Sequence, residues 1–294
     1  MWSSPVTSPR RSRYGAPPRS PPTPCTPQKP LWMLRCESAC AQSRYPTNFC
    51  LLSAPGKGED RLVVDCRAGE TLWAVFDGHR SREVSGFASM TIPQLVWNCD
   101  WRHRPDEALI GAFRQCHELA RAEGHSGGST AVVVVTAGDA LYCASAGDSR
   151  VVAGLHGGGV VRLSVHHSTS VPEEVARIQA AGGNLEMGRL GGFLPMTRGL
   201  GDFDLETEGF ISVPDVRVFP RSEVDFVVIA SDGLWDVMND ETCCNLIRQW
   251  GPSASAEGLA HMAQQLGSND DIAIIIAHIP SLSQPNFASA SLGA

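Results

Sequence analysis

Residues 71–84 read "TLWAVFDGHRSREV", and the stretch is decisive because of how it stops. Leu72 to Phe76 is apolar without a break, so a strand built from it must be covered on both faces. The run ends abruptly at Asp77, Gly78, His79 and Arg80. The same arrangement returns twice. "VDFVVIASDG" (224–233) runs into Asp232 and Gly233, and "DDIAIIIAHI" (270–279) sets out from Asp270 and Asp271.

Working outward, "RLVVDC" (61–66) reads as a strand joined to "TLWAVF" by the turn-like "RAGE", with Glu59 and Asp60 just before it. "TAVVVVTA", "ALYCASA", "RVVAGL" and "VVRLSV", between 130 and 165, are β-rich runs separated by "GD", "GDS" and "HGGG" turns. "PDEALIGAFRQCHELARAEG" (105–124) has apolar residues near helical spacing and a glycine stop. "VPEEVARIQAAGG" (171–183) starts on a proline suited to the first helical turn and ends on glycines. "ETCCNLIRQW" and "AEGLAHMAQQL" also read as helices. The expected fold class is α+β: a four-layer α-β-β-α sandwich with two central antiparallel β-sheets flanked by helices.

Composition divides the chain. Residues 1–45 are rich in Ser, Pro and Arg and show no hydrophobic period, so they are expected to be a disordered tail. Residues 46–280 form the expected domain, and 281–294, small and polar, a flexible C-terminal tail. The first 45 residues carry a net charge of +6 within a chain of −7, which leaves −13 for the rest. An acidic body excludes nucleic acid as a main partner. No apolar run has the length of a membrane helix, and no signal-peptide core is visible. The ten cysteines lack the paired spacing of a zinc site and are expected to be free thiols in a reducing compartment. A cytoplasmic or nuclear location and a monomeric state are expected. The acid-free, Arg- and Ser-rich start leaves organellar targeting open, although its prolines oppose the amphipathic helix of a transit peptide.

The acids sit at strand ends. Strands that alternate direction bring the end of one beside the start of the next, so Glu59, Asp60, Asp77, Asp232, Asp270 and Asp271 can meet at one edge, with Asp148 of "AGDSR" beside them. Each acid alone has a plain explanation: Asp-Gly is common turn chemistry, and Asp236 and Asp240 suit helix caps. Together they repel one another unless a cation binds them. Oxygen ligands of this kind suit Mg²⁺ or Mn²⁺.

The ordered motifs "GEDRLVV", "FDGHRS", "GGSTAVVVV", "ASAGDSRVV", "EVARIQAAGG", "MTRGLGD", "VPDV", "FVVIASDGLWDVMNDE" and "SNDDIAIII" resemble the metal-dependent protein phosphatases of the 2C type, over roughly residues 55–280. The resemblance implies two central sheets flanked by helices, with two Mg²⁺ or Mn²⁺ ions at one edge of the sandwich. It makes Asp77 the bridging carboxylate and gives Gly78 a carbonyl contact to one ion. Glu59 would ligate that same ion, with Asp60 in the adjoining water-mediated shell, while Asp232 and Asp270 hold the other. Asp148, with Asp232 and Asp236, matches a weaker third-metal position. His79 matches the general acid. The implied activity is hydrolysis of phosphoserine and phosphothreonine in protein substrates, by in-line attack of a metal-activated water.

Four positions depart from the pattern. Pro55 stands where members place a phosphate-gripping arginine, with Lys57 the nearest cation to replace it. Arg80 replaces a glycine after the histidine and either supplies positive charge or crowds the site. Asp271 replaces an asparagine, and His166-His167 an Asp-His pair. The segment "SRYPTNFCLLSAPGKG" is short, so an altered first strand is expected. The alternative function is a pseudophosphatase, a phosphoprotein-binding module without turnover; a purely structural sandwich leaves the strand-end acids unexplained.

Overall fold

The computed structural model describes residues 29–251 and 254–280. The chain begins with α1 (Leu31–Gln42) and continues through β1 (Thr47–Leu52), β2 (Arg61–Arg67), β3 (Glu70–Phe76) and the two-residue β4 (Gly78–His79). Helices α2 (Glu83–Asn98) and α3 (Pro105–Ala122) follow, then β5 (Gly128–Ser129), β6 (Ala131–Ala137), β7 (Ala140–Ala146), β8 (Arg150–Leu155) and β9 (Val160–Arg162). A more irregular stretch holds α4 (Pro172–Ala180), β10 (Leu185–Glu186), β11 (Arg189–Leu190) and β12 (Leu200–Gly201). The chain closes with β13 (Asp215–Pro220), β14 (Val224–Ala230), α5 (Asp232–Trp235), α6 (Asp240–Trp250), α7 (Ala256–Gln265) and β15 (Ile272–His278).

Two antiparallel sheets, ordered β1-β15-β14-β8-β9 and β13-β7-β6-β3-β2, lie face to face. The period of two along each strand sorts its side chains between layers. Trp73 and Val75 of β3 point into the core between the sheets, while Leu72, Ala74 and Phe76 face α2 and α3. In β15, Ala273, Ile275 and Ala277 face the central core, and Ile272, Ile274 and Ile276 meet α5, α6 and α7. These strands are apolar throughout because helices cover the outer faces. The sandwich is therefore four-layered, α-β-β-α, as the sequence predicts. Each fully buried Ile or Phe contributes about 1.5–3 kcal/mol of burial, which makes the strand residues the main source of cohesion.

Two features differ from expectation. Residues 31–42, assigned by composition to a 1–45 tail, form a helix. Cys36 and Ala39 are its buried positions, packed with Tyr45, Leu62 and Val64. The Val64 amide at the outer edge of β2 faces the Cys36 sulfur, so α1 caps an otherwise open sheet edge. Few large apolar residues are needed for that contact, which is why composition hides it. Residues 1–28 and 281–294, the rest of the expected tails, lie outside the described residues. The short segment after α1 also forms a regular strand: β1 pairs with β15 from Thr47↔Ala277 through Leu52↔Ile272.

Candidate active site

Strand register builds the site. Arg61 pairs with Phe76, which sets Asp60 beside Asp77. Ala230 pairs with Ile274 on one side and Arg150 on the other, which brings Asp232 next to Asp270, Asp271 and Asp148. Both sheets thus contribute acids to one rim.

The acids crowd each other. Burial, followed by the charges of Asp60, Asp232 and Asp148, pushes the Asp77 carboxyl well above its ordinary range. Asp77 and Asp232 lie close enough to interact directly, and burial followed by the charges of Asp270 and Asp236 raises Asp232 as well. Burial and the neighbouring acids, Asp271 first among them, raise Asp60 to about 7 against a hydrogen bond with Ser231. Burial and Asp232 also raise Asp148 to about 7. One buried oxygen on each of Asp60 and Asp148, Oδ2 and Oδ1, has no hydrogen-bond partner. Unpaired, buried carboxylate oxygens are expensive, and an all-oxygen donor set of this charge fits a hard dication.

The rim is not a closed cage. Among the described residues no three His, Cys, Asp or Glu side chains are arranged to hold an ion directly. Lys57 Nζ donates to both oxygens of Asp270 at 2.5 and 2.6 Å. Lys57 therefore neutralises a predicted metal ligand. Asp236 is exposed at the end of α5, and Glu59 is half-buried on the loop before β2.

Asp271 explains its departure from asparagine. Its Oδ1 accepts from Ala54 N–H at 2.7 Å, and its Oδ2 from the N–H groups of Gly58, Glu59 and Asp60 at 2.8, 2.7 and 3.2 Å. A carboxylate accepts on both oxygens, whereas an amide would turn donors toward donors at one of them. The residue fixes the loop that presents Glu59 and Asp60. Gly78 is required by proximity: a Cβ there would lie 2.5 Å from the Glu59 carbonyl oxygen and 2.8 Å from Ser85 Oγ.

His79 has a partner that sequence reasoning missed. Its Nε2 lies 2.5 Å from Asp202 Oδ2, a carboxylate with no exposed side-chain surface. The small sheet β12-β5-β4 arranges the pair, with Gly128 of β5 opposite both His79 and Gly201. A side chain on Gly128 would collide with both Asp202 and His79. Asp202 itself adopts φ +45°, outside the usual range for a non-glycine residue. The signal in the sequence was an Asp after "RGLG", which chain order alone could not connect to a histidine 123 positions away. Arg80, also at positive φ (+65°), donates to Asp202 Oδ1 at 3.1 Å and to both oxygens of Asp204 at 3.0 and 2.9 Å. Its guanidinium is thus engaged by these two carboxylates. His167 hydrogen-bonds Asp215 at 2.7 Å, away from the acidic set.

Comparison with known proteins identifies the family to which this sandwich with an acidic rim belongs. The protein phosphatase 2C family model matches residues 48–272, and the chain belongs to that family. A fission yeast (Schizosaccharomyces pombe) relative, protein phosphatase 2C homolog 3, is 34% identical over 206 residues, covering 64% of this chain and 49% of the relative. The rice protein described as probable protein phosphatase 2C 44 is 33% identical over 218 residues, covering 70% of this chain and 67% of its own length. The match thus spans only about half of the yeast protein. Among solved structures, a serine-threonine phosphatase 2C from Toxoplasma gondii superposes with a TM-score of 0.71 at 20% identity, covering 80% of this chain and 95% of that one. A C. elegans sex-determining protein gives 0.69 at 24%, covering 80% and 65%. These likenesses support the fold.

Proposed function

We propose that this protein is a Mg²⁺- or Mn²⁺-dependent phosphatase acting on phosphoserine and phosphothreonine in proteins. The observation that carries the reading is the rim itself. Acids from both sheets are buried together, two of them with unpartnered oxygens, and membership of the phosphatase 2C family supports the same chemistry. Glu59, Asp77, Asp232, Asp270 and the Gly78 carbonyl would hold the ions, with Asp60 in support and Asp148 and Asp236 beside a weaker position. Bound there, the ions supply charge neutralisation and an acidified water.

The chain's own groups do the rest. Asp202 orients the His79 ring through Nε2, and Nδ1, buried and without a hydrogen-bond partner, has to be uncovered before it can serve the departing Ser or Thr oxygen. Lys57 has to leave Asp270 before that carboxylate can serve an ion. It is then the cation beside the substrate phosphate, in the place of the absent arginine. None of the described free cysteines is required.

Calorimetric titration with Mn²⁺, together with hydrolysis of an aryl phosphate, tests the reading. Wild-type protein is expected to take up Mn²⁺ and turn over substrate, and Asp232→Asn to lose both. Lys57→Ala should bind Mn²⁺ more tightly because a competitor for Asp270 is gone. Uptake without turnover in the wild type would favour a pseudophosphatase, and no uptake would end the proposal.

A further inference from the structure

A cavity lies away from the acids. It is a groove of about 630 Å³ between α1 and α2, floored by β2. Its rims carry two of the most exposed large apolar side chains among the described residues, Leu31 (66% exposed) and Met90 (58%), and Val63 lies on its floor. Arg35, Arg61 and Arg67 line it with a single acid, Asp65. That acid is already engaged: its Oδ2 accepts from Trp97 Nε1 at 2.9 Å and its Oδ1 from the Cys66 N–H at 2.9 Å, while Arg67 stands 4.0 Å away. Arg82, at the start of α2, adds a further cation beside Arg61. The groove is therefore basic and apolar on a molecule whose body is strongly acidic. Arg61 on its floor strand follows Asp60 directly and donates to the Gly58 and Asp60 carbonyls, which ties the groove to the loop that presents the acids.

We propose that this groove docks an acidic, apolar-anchored segment of the phosphoprotein substrate, at a distance from the phosphorylated residue. The inference rests on the phosphatase reading and narrows its substrate class. Carboxylates or further phosphates on the segment would meet Arg35 and Arg67, and a large apolar residue would settle between Leu31 and Met90. The chain's own residues 1–28 are a poor occupant. They carry Arg10, Arg11, Arg13 and Arg19 and no acid, a charge that does not complement this surface.

The test compares two phosphothreonine peptides with the full chain and Mn²⁺: one carrying a Glu-Leu-Asp-Glu-Phe run beyond the phosphothreonine, the other Lys in place of each acid. The acidic peptide is expected to show a lower KM, by roughly three- to tenfold, since each exposed pair contributes modestly. Arg35→Glu with Arg67→Glu, and separately Met90→Asp, should abolish that advantage while aryl phosphate hydrolysis stays unchanged. All three positions are on the surface, so folding is preserved and circular dichroism checks it. Equal KM values for the two peptides, or variants that keep the advantage, would overturn the docking proposal. So would displacement of the fluorescein-labelled acidic peptide by a synthetic 1–28 or 281–294 peptide. If even aryl phosphate is not hydrolysed, the phosphatase reading fails, and fluorescence polarisation of the labelled peptide still decides the groove by itself.

Discussion

Asp202 acts at the scale of a single side chain. It accepts from His79 and Arg80 at once, is sealed from solvent, and sits in a left-handed backbone conformation that few residues other than glycine adopt. Strain of this kind is held by its surroundings. The Asp202 N–H donates to the Gly127 carbonyl at 2.9 Å, and the Asp202 carbonyl accepts from Leu205 N–H at 2.9 Å. Asp202→Asn preserves the shape but replaces the charge that holds the imidazole. General acids contribute roughly 10²–10⁴-fold, so a loss of about ten- to a hundredfold in kcat is expected on a phosphothreonine peptide. An aryl phosphate, whose leaving group needs little protonation, should lose far less. Equal losses on both substrates would show Asp202 to be merely structural.

At the scale of an element, α4 is tied to the strand that leads to Asp202 by one buried acid. Glu174 accepts from Arg198 Nε and Nη2, Arg177 Nη2 and Thr197 Oγ1, and only a few per cent of its side chain is exposed. Burial opposes its ionisation, but the hydrogen bonds from Arg198, Arg177 and Thr197 prevail and hold its pKa at about 2. The folded value lies below the unfolded one of 4.5. The stabilisation is therefore complete above about pH 4.5 and lost as pH falls toward 2. Glu174→Ala takes one of two acidic partners from the largely buried Arg198, which keeps Asp215 at 3.3 Å, and should destabilise by about 1–3 kcal/mol at neutral pH. Urea unfolding at pH 7 and pH 3 checks both statements: the gap between variant and wild type should shrink at the lower pH.

Across the whole molecule, the candidate site stitches two sheets together. Asp77 and Glu59 flank strands of the sheet that holds β2 and β3, whereas Asp232 and Asp270 flank β14 and β15 of the other. An ion on this rim would bridge the layers and relieve the repulsion between them. Mn²⁺ at about a hundred times its Kd should add about 2.7 kcal/mol of stability. For a domain of this size that raises Tm by roughly 5–10 °C. Asp232→Asn should show no such rise in differential scanning calorimetry. A wild-type Tm indifferent to Mn²⁺ would contradict a rim-bound ion.

The sequence by itself determined the layers and the location of the acids. Continuous apolar strands, alternating direction and acids at their ends are local patterns, and local patterns survive in a linear chain. Ordered motifs added the family. Only the tertiary structure decided that Asp202 reaches His79, that Asp271 gathers four loop amides, that Lys57 lies on Asp270, and that Cys36 and Ala39 make a helix of an apparent tail. Each of these joins separate elements, and the first three pair polar groups more than a hundred residues apart. No periodicity records which polar group will face which once the sheets have packed.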